Sequence, residues 1–225
     1  MRIRGVRRSE KFVAPRWEHI GVLVLSFICA FGVGVVYAQT VTIDFYGISP
    51  YASAEHIAIG EEQLWLDVTH HAGETTATFK FYNLGLLPCS ITDVYIDDGH
   101  LTALQYLVNG PGVMFAIGAT PGHLPDEQYA EPPFVSTKQF NMDADPPPYV
   151  KGINPGEWLE AVYSVKTGTT VFDIEQEIRD GELRVGYHVQ GFTDGGSASF
   201  VNTPEPASIL LLGLGTLALL RKHRT

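Results

Sequence analysis

The chain has 225 residues, of which 45% are hydrophobic and 18% are charged, and its formal net charge at pH 7 is −10. Nucleic acids and anionic lipid surfaces repel an acidic chain, so this balance argues against a nucleic-acid-binding protein.

The N-terminal region has the layout of a secretory signal peptide. Residues 1–16 contain six Lys or Arg residues and a single acid, Glu10, and an apolar run follows over residues 20–36. Small residues at the −3 and −1 positions, Val36 and Ala38, mark a cleavage site after Ala38. We therefore predict a signal peptide over residues 1–38, with an uncleaved helical anchor as the alternative.

The exported segment, residues 39–203, is strongly acidic. It holds 22 Asp and Glu against 6 Lys and Arg, a formal net charge of −16. This charge either attracts cations, including Ca²⁺ that bridges to an acidic polysaccharide, or only keeps the protein soluble. Cys29 lies in the signal segment, so Cys89 is left without an intramolecular disulfide partner. We expect Cys89 to be a small buried hydrophobic residue, with a bond to another chain as the alternative.

Period-two alternation predicts an all-β fold. Apolar side chains alternate with polar or mixed ones at residues 41–46, 77–82, 158–165 and 183–190. One apolar face per strand is typical of antiparallel sheets that pack on each other. Gly, Pro and Asp turns between short strands indicate one antiparallel β-sandwich or jelly-roll-like domain over residues 39–203. Further strands are predicted at residues 64–68, 91–96, 101–107, 113–117 and 200–201.

One short helix is predicted within this domain, between a cap at Thr169 or Thr170 and Gly181. One of its faces is apolar and comprises Val171, Ile174 and Ile178. The other is charged and is expected to contact solvent; it comprises Glu175, Glu177, Arg179 and Asp180. Residues 118–156 are rich in Pro and acids, which predicts a long irregular loop with at most one strand, around residues 134–140.

Asp93, Asp97 and Asp98 form the densest acidic cluster. On a strand, Asp93 and Asp97 share one face, and carboxylate oxygens at a strand end are ligands that Ca²⁺ prefers. Their spacing matches no dedicated calcium loop, so the alternative is a polar strand face that runs into an Asp-Asp-Gly turn. We predict no bound cofactor, with Ca²⁺ at this cluster as the alternative.

We find no catalytic motif. His70 and His71 lack the His or Cys spacing of a zinc site, and we interpret them as a polar turn between two strands. His188 lies in mid-strand without a partner that the sequence can identify, and Ser197 belongs to a Gly-Gly-Ser turn, not to a Gly-x-Ser-x-Gly elbow. We predict that the protein is not an enzyme, although carboxylate pairs for glycoside hydrolysis stay open.

Aromatic residues on the predicted strands have two interpretations. Flat, accessible rings stack on sugar faces and would form a carbohydrate-binding platform, whereas rings in the core or in cross-strand pairs would only stabilise the fold. The residues concerned are Tyr46, Trp65, Tyr82, Tyr95 and Trp158.

The C-terminal segment has three parts. Two prolines flank Glu205 and prevent a helix from extending backwards, because proline fixes φ and lacks an N–H donor. Residues 207–220 are uncharged and would form a transmembrane helix of about 21 Å, short of the ~30 Å hydrocarbon core unless basic side chains snorkel. The basic tail that would hold the C-terminus in the cytoplasm comprises Arg221, Lys222 and Arg224.

The order Pro204-Glu205-Pro206, apolar run and basic tail resembles the PEP-CTERM sorting signal of exported bacterial proteins. The resemblance implies processing by signal peptidase at Ala38 and by an exosortase-like protease at the Pro-Glu-Pro triplet. The protein would be held transiently in the inner membrane by its termini and then reach the cell surface or extracellular matrix. Its implied role is structural or interactive and associated with exopolysaccharide.

Two alternatives stay open beside this interpretation. In the first, residues 204–225 are a plain C-terminal membrane anchor. On the second, the domain would be a secreted carbohydrate-active enzyme or a carbohydrate-binding module.

Overall fold

Two antiparallel β-sheets form the part of the chain that the computed structural model describes, residues 38–202 without Ala72, Asp98 and His100. In chain order the strands are β1 Ala38–Ile43, β2 Phe45–Gly47, β3 Leu64–His71, β4 Thr76–Asn83, β5 Ser90–Asp97, β6 Leu101–Asn109, β7 Phe115–Ile117, β8 Met142–Ala144, β9 Trp158–Val165, β10 Arg184–Gln190 and β11 Ser197–Asn202. The five-stranded sheet has the order β1-β3-β4-β9-β6, and the six-stranded sheet has the order β2-β11-β10-β5-β8-β7.

These sheets confirm the predicted all-β fold: the alternating stretches 77–82, 158–165 and 183–190 correspond to β4, β9 and β10, whereas the stretch 41–46 is divided at Asp44 between β1 and β2, which lie in different sheets. In β4, the clearest case, burial alternates residue by residue from Thr76 to Asn83. Its buried residues face the six-stranded sheet, and its half-buried residues face outward. A strand with one apolar face is stable only when a second layer covers that face, which is the arrangement of a sandwich.

Aromatic side chains fill the space between the sheets. Tyr187 of β10 stacks on Phe45 at 4.0 Å between ring centroids and meets Phe81 of the opposite sheet edge-on at 6.0 Å. Phe79 meets Tyr163 in the same way at 5.0 Å. Tyr187 also donates from its hydroxyl to the Trp65 carbonyl, 3.3 Å away, so its polar atom is satisfied within the core.

Helix α3, Val171–Asp180, confirms the helix predicted from the sequence. Thr170 caps it, accepting from the Asp173 N–H while the Asp173 carboxylate accepts from the Thr170 N–H, and Gly181 ends it at φ 74°. One detail of the prediction was wrong, because Glu177 is 5% exposed and does not face solvent. The chain reverses at Gly181, and the N–H groups of Glu182 and Leu183 bond to the Glu177 carbonyl, which encloses this residue.

The described residues contain more helix than the single one predicted: two further α-helices and two 3₁₀ helices, at Glu127–Tyr129 and Lys138–Phe140. Helix α1 spans Ala54–Gln63, and helix α2 is one turn at Pro148–Lys151. Helix α1 escaped detection because its buried face is mixed in character and carries no apolar stripe. That face comprises His56, Ile59, Gly60 and Gln63.

Residues 118–156 form the long irregular loop that was predicted, but its strand is β8 at Met142–Ala144 and not at residues 134–140. Phe134 and Phe140 are buried anchors in place of strand residues. Phe134 packs with Leu124 and Ala130 against Tyr95, forming a second apolar cluster on the outer face of the six-stranded sheet. This face is therefore covered by the loop.

The two ends of the sandwich differ in what they carry. At one end, which we call the terminal end, Ala38 pairs with His71, β5 ends at Asp97 and β6 begins at Leu101. Asn202 lies at this end too, since β11 runs antiparallel to β10 and β10 antiparallel to β5. The opposite end, which we call the distal end, holds the β4–β5 connection at residues 84–89.

The predicted signal helix and C-terminal transmembrane helix lie outside the described residues, apart from Ala38, which begins β1. Among the helices that the structure does describe, none has the length and apolar character needed to cross a bilayer.

Candidate functional site

Three aromatic side chains lie side by side on the outer face of the five-stranded sheet. Trp65 on β3 is directly opposite Tyr82 on β4, and Tyr82 is directly opposite Trp158 on β9. Strand alternation directs these side chains away from the core, and each is half-buried. Direct cross-strand neighbours lie about 5 Å apart, so the rings form a continuous row across three strands.

A polar row runs parallel to the aromatic row, two residues further along the strands. In it, Thr42, Asp67, Lys80 and Glu160 are successive cross-strand neighbours on β1, β3, β4 and β9. The Thr42 hydroxyl donates to Asp67 Oδ1 at 2.7 Å, and Lys80 Nζ lies 2.8 Å from Glu160 Oε1. The row therefore presents both donors and acceptors at fixed positions.

Lys80 joins the two rows. Its ammonium lies 4.2 Å from the centre of the Trp158 ring and 5.5 Å from that of Tyr82, in cation–π geometry. Burial alone would lower the pKa of Lys80, but the hydrogen bond and charge of Glu160 raise it above its usual value. Lys80 therefore stays charged, and its charge is already matched by a carboxylate.

Burial also raises the pKa of Tyr82, with nearby Asp67 adding to the effect and Lys80 opposing it. The phenol is consequently neutral at physiological pH. A neutral ring with a polar tip at the surface can both stack on an apolar face and exchange a hydrogen bond.

Strand β6 extends this surface to the edge of the sheet. Tyr106 is opposite Val162 and is 55% exposed, and Val108 is opposite Glu160 and is 39% exposed. We call the outward surface made by Trp65, Tyr82, Trp158, Lys80 and Tyr106 the aromatic face. Sequence reasoning missed Tyr106 because two register shifts in β6 break the alternation around it.

The aromatic face reaches the distal end of the sandwich. Trp65 is the second residue of β3, Tyr82 the second-last of β4, and Trp158 the first of β9. All three therefore lie at the end opposite Ala38 and Asn202.

The other two aromatic residues considered from the sequence are not part of this face. Tyr95 is fully buried under the loop on the outer side of the six-stranded sheet, and its hydroxyl donates to the Pro121 carbonyl at 3.0 Å. Tyr46 is half-buried beside the same cluster. Tyr95 and Tyr46 therefore stabilise the fold, as the second interpretation of the aromatic residues stated. Trp65, Tyr82 and Trp158 instead lie together in one row on the outer face of the other sheet.

The acidic residues suggested as calcium ligands are not brought together in the described part of the chain. Asp93 is 6% exposed and accepts from the Thr92 hydroxyl at 2.7 Å and from His188 Nδ1 at 3.0 Å. Asp97, at the end of β5, accepts from the Val135 N–H at 3.4 Å. Asp98 lies outside the described residues. Within those residues, no group of three or more His, Cys, Asp or Glu side chains is arranged to hold a metal ion.

Asp93 does belong to a second polar row, on the outer face of the six-stranded sheet. Ser199, His188, Asp93 and Asp143 are successive cross-strand neighbours on β11, β10, β5 and β8. Burial and the charge of Asp93 raise the pKa of Asp143. Sequence alone could not supply the partner of His188, because β5 and β10 are about 90 residues apart in the chain.

Two interpretations of single residues need correction. His70 and His71 end β3 and are not in a turn; His70 is 2% exposed, with its two ring nitrogens 2.7 Å from the Thr76 carbonyl oxygen and 3.0 Å from that of Thr169. These contacts hold the imidazole inside the fold, so His70 is a buried strand residue. Ser197 begins β11 opposite Gln190 instead of lying in the preceding turn.

Cys89 is a buried free thiol, as expected. Burial raises its pKa, while hydrogen bonds from Asn83 and Gln63 oppose the rise. Gln63 also bonds to both backbone groups of Leu87, which fixes the shape of the β4–β5 connection. The thiol therefore belongs to a structural network, since a protonated, enclosed cysteine is unreactive.

The predicted sorting residues, Pro204 to Pro206 and the basic tail, lie outside the described residues, but comparison with known families covers them. Residues 202–224 match the family model of the PEP-CTERM protein-sorting motif, which confirms the resemblance seen in the sequence. Neither the curated proteins nor the solved structures compared contain a match to the chain. The C-terminal motif marks the chain as a substrate of an exosortase-type sorting system, exported through the membrane to the cell surface.

Proposed function

We propose that this protein binds exopolysaccharide at the cell surface or in the extracellular matrix, through the aromatic face. The observation that carries the proposal is the row of Trp65, Tyr82 and Trp158 in direct cross-strand register at the distal end of the sandwich. Rings in such a row offer consecutive stacking surfaces to consecutive sugars. The role is that of a binding or structural protein and not of an enzyme.

The location of the rings supports this proposal. The three rings are partly exposed on the outer face of the sheet, where they can contact a ligand as well as stabilise strand pairing. Donors and acceptors beside them, from Asp67, Lys80 and Glu160, match the hydroxyl groups of a sugar. The match to the sorting motif supports export to the cell surface, and the proposal adds exopolysaccharide as the ligand met there.

The proposal is tested with exopolysaccharide isolated from the host and with protein recovered from the same host. A Trp65→Ala, Trp158→Ala double variant should lose about tenfold or more in affinity, since each stacked ring contributes about 1 kcal/mol beyond its buried area. Phe172→Ala is the matched control, because Phe172 is 65% exposed on α3, away from the aromatic face. Equal binding by all three proteins would refute the proposal.

Processing of the tail is proposed at Pro204-Glu205-Pro206, after signal peptidase has cut at Ala38. Glu205 is the charged group between two prolines and would be the recognition element. Glu205→Ala should leave the export step intact and leave unprocessed protein in the membrane fraction. A Glu205→Ala variant that matures and reaches the surface like the natural protein would remove Glu205 from this role.

One observation favours a second candidate function, a secreted carbohydrate-active enzyme. Asp93 and Asp143 are direct cross-strand neighbours, so their Cβ atoms are about 5 Å apart, and the pair is a candidate for the closely spaced carboxyl groups of retaining glycoside hydrolysis. Asp93 accepts from the Thr92 hydroxyl and lies beside His188, whereas burial and the charge of Asp93 raise the pKa of Asp143. Release of reducing sugar from host exopolysaccharide, lost in both Asp93→Asn and Asp143→Asn, would establish the enzyme; no release by the natural protein would exclude it for that substrate.

A further inference from the structure

We propose that the aromatic face selects a neutral, extended, ribbon-like polysaccharide that lies across the strands, and that it rejects polyuronates and other anionic glycans. This inference rests on the proposed function and adds the chemical class of the ligand. It follows from the charges on the face, the direction of its rows and the position of its polar groups.

The charges on the aromatic face disfavour an anionic ligand. The face presents two carboxylates, from Asp67 and Glu160, and one ammonium, from Lys80, which already lies 2.8 Å from Glu160. Asp67 is the other direct cross-strand neighbour of Lys80, so one ammonium faces two carboxylates and the formal charge of the three side chains is 1 − 2 = −1. An anionic sugar would therefore meet uncompensated negative charge instead of a free cation. The whole segment 39–203 has a formal net charge of −16, which adds repulsion at longer range.

The spacing and direction of the ring row favour an extended ligand. Trp65 and Trp158 lie two strands apart with Tyr82 between them, so the outer rings are separated by about 10 Å across the sheet. The row runs perpendicular to the strands, and exposed Tyr106 on β6 lies to one side of it, opposite Val162, which is four residues from Trp158 along β9. A surface of this kind fits the flat side of an extended chain of sugars better than the single sugar at a chain end.

The polar row offers hydrogen-bonding partners to a neutral sugar chain. Asp67, Lys80 and Glu160 lie in register beside the rings, and Thr69 and Thr78 follow two residues further along the same strands. A ribbon stacked on the rings would place its hydroxyl groups over these side chains. Hydroxyl groups can donate to the carboxylates and accept from the ammonium, whereas a sugar carboxylate can only accept.

Affinity electrophoresis of the full chain in detergent tests this inference with a matched pair of soluble probes. Hydroxyethyl cellulose is neutral, and carboxymethyl cellulose has the same backbone with added carboxylates. We expect the neutral polymer to retard the protein at least tenfold more strongly at low salt, with little change when salt is raised, because few ions are released on binding.

Variants separate the contributions of charge and rings. Asp67→Asn combined with Glu160→Gln should raise affinity for carboxymethyl cellulose about fivefold to tenfold, since two repelling charges are removed. Trp158→Ala should weaken binding to hydroxyethyl cellulose, while Phe172→Ala should not. Circular dichroism of each variant checks that its fold is unchanged.

The outcomes distinguish this inference from the proposed function. Equal or tighter binding of carboxymethyl cellulose, weakened by salt, would overturn the inference and leave exopolysaccharide binding standing. Binding of host exopolysaccharide but of neither probe would also overturn the inference alone. Failure to bind host exopolysaccharide and both probes would overturn both proposals.

Discussion

Replacing Lys80 by methionine tests whether the aromatic face is held together as its geometry indicates. The substitution keeps an unbranched apolar stem that can cover Trp158, and it removes the positive charge. Two interactions disappear with that charge: the 2.8 Å ion pair with Glu160 and the cation–π contact with Trp158 at 4.2 Å.

The expected loss of stability follows from how exposed the Lys80 and Glu160 side chains are. The Lys80 and Glu160 side chains are 29% and 26% exposed, so their ion pair belongs near the upper part of the range for surface pairs, about 0.2–1 kcal/mol. A cation–π contact at such a site contributes about 0.5–1 kcal/mol. Lys80→Met should therefore lower the free energy of unfolding by about 1–2 kcal/mol, or roughly 2–8 °C in melting temperature.

Urea unfolding of the natural protein, Lys80→Met, Glu160→Gln and the double variant isolates the ion pair in a double-mutant cycle. We expect a coupling energy of about 0.5–1 kcal/mol at low salt that falls in 1 M NaCl, where the Debye length is about 3 Å. A coupling near zero at low salt would refute the argument that Lys80 is committed to Glu160. It would also weaken the inference that an anionic glycan finds no free cation.

Four further predictions concern the rest of the fold. Asp143→Asn should raise the melting temperature at pH 7 and leave it unchanged below about pH 4. Because folding raises the pKa of Asp143, this residue does not destabilise the fold while it is protonated, below its unfolded-state pKa. It destabilises the fold once pH rises through its folded-state pKa, and the asparagine variant removes that loss. Phe134→Ala should cost about 3–5 kcal/mol in urea unfolding, because Phe134 is 2% exposed in the second apolar cluster; a cost under 1 kcal/mol would mean that the loop is not anchored there. Thr170→Ala should cost about 1 kcal/mol through loss of the α3 cap, with Thr170→Ser close to the natural protein as the control. Calcium at millimolar concentration should leave the melting temperature unchanged, since Asp93 is committed to Thr92 and His188; a rise of several degrees would restore the acidic cluster as a metal site.

The sequence predicted the strands well because their signal is local. Period-two alternation placed β4, β9 and β10, and the spacing of Val171, Ile174 and Ile178 between Thr170 and Gly181 placed α3. Helix α1 was missed because its stability comes from tertiary contacts. A methyl group added at Gly60 would collide with the Phe200 ring, so only glycine lets the helix pack this closely on the sheet.

The candidate site was only partly predictable. Trp65, Tyr82 and Trp158 were recognisable as aromatic residues on strands, but their convergence depends on the strand order β3-β4-β9, in which β9 follows β4 by about 75 residues. Tyr95 has the same local pattern and is buried, because residues 118–140 cover the other sheet. Long-range packing determines which sheet face a loop covers, and the alternation of apolar and polar residues along a strand does not reveal it.

Fractionation of the host culture, combined with intact-mass measurement, tests the central claim most directly. For the natural protein we predict a species in the exopolysaccharide fraction that begins at Gln39 and ends near Pro204-Glu205-Pro206. The Trp65→Ala, Trp158→Ala variant should have the same mass but appear in the free medium. A natural protein that keeps its full C-terminus in the membrane fraction would contradict the sorting account, and a variant that stays with the exopolysaccharide would contradict the role of the aromatic face.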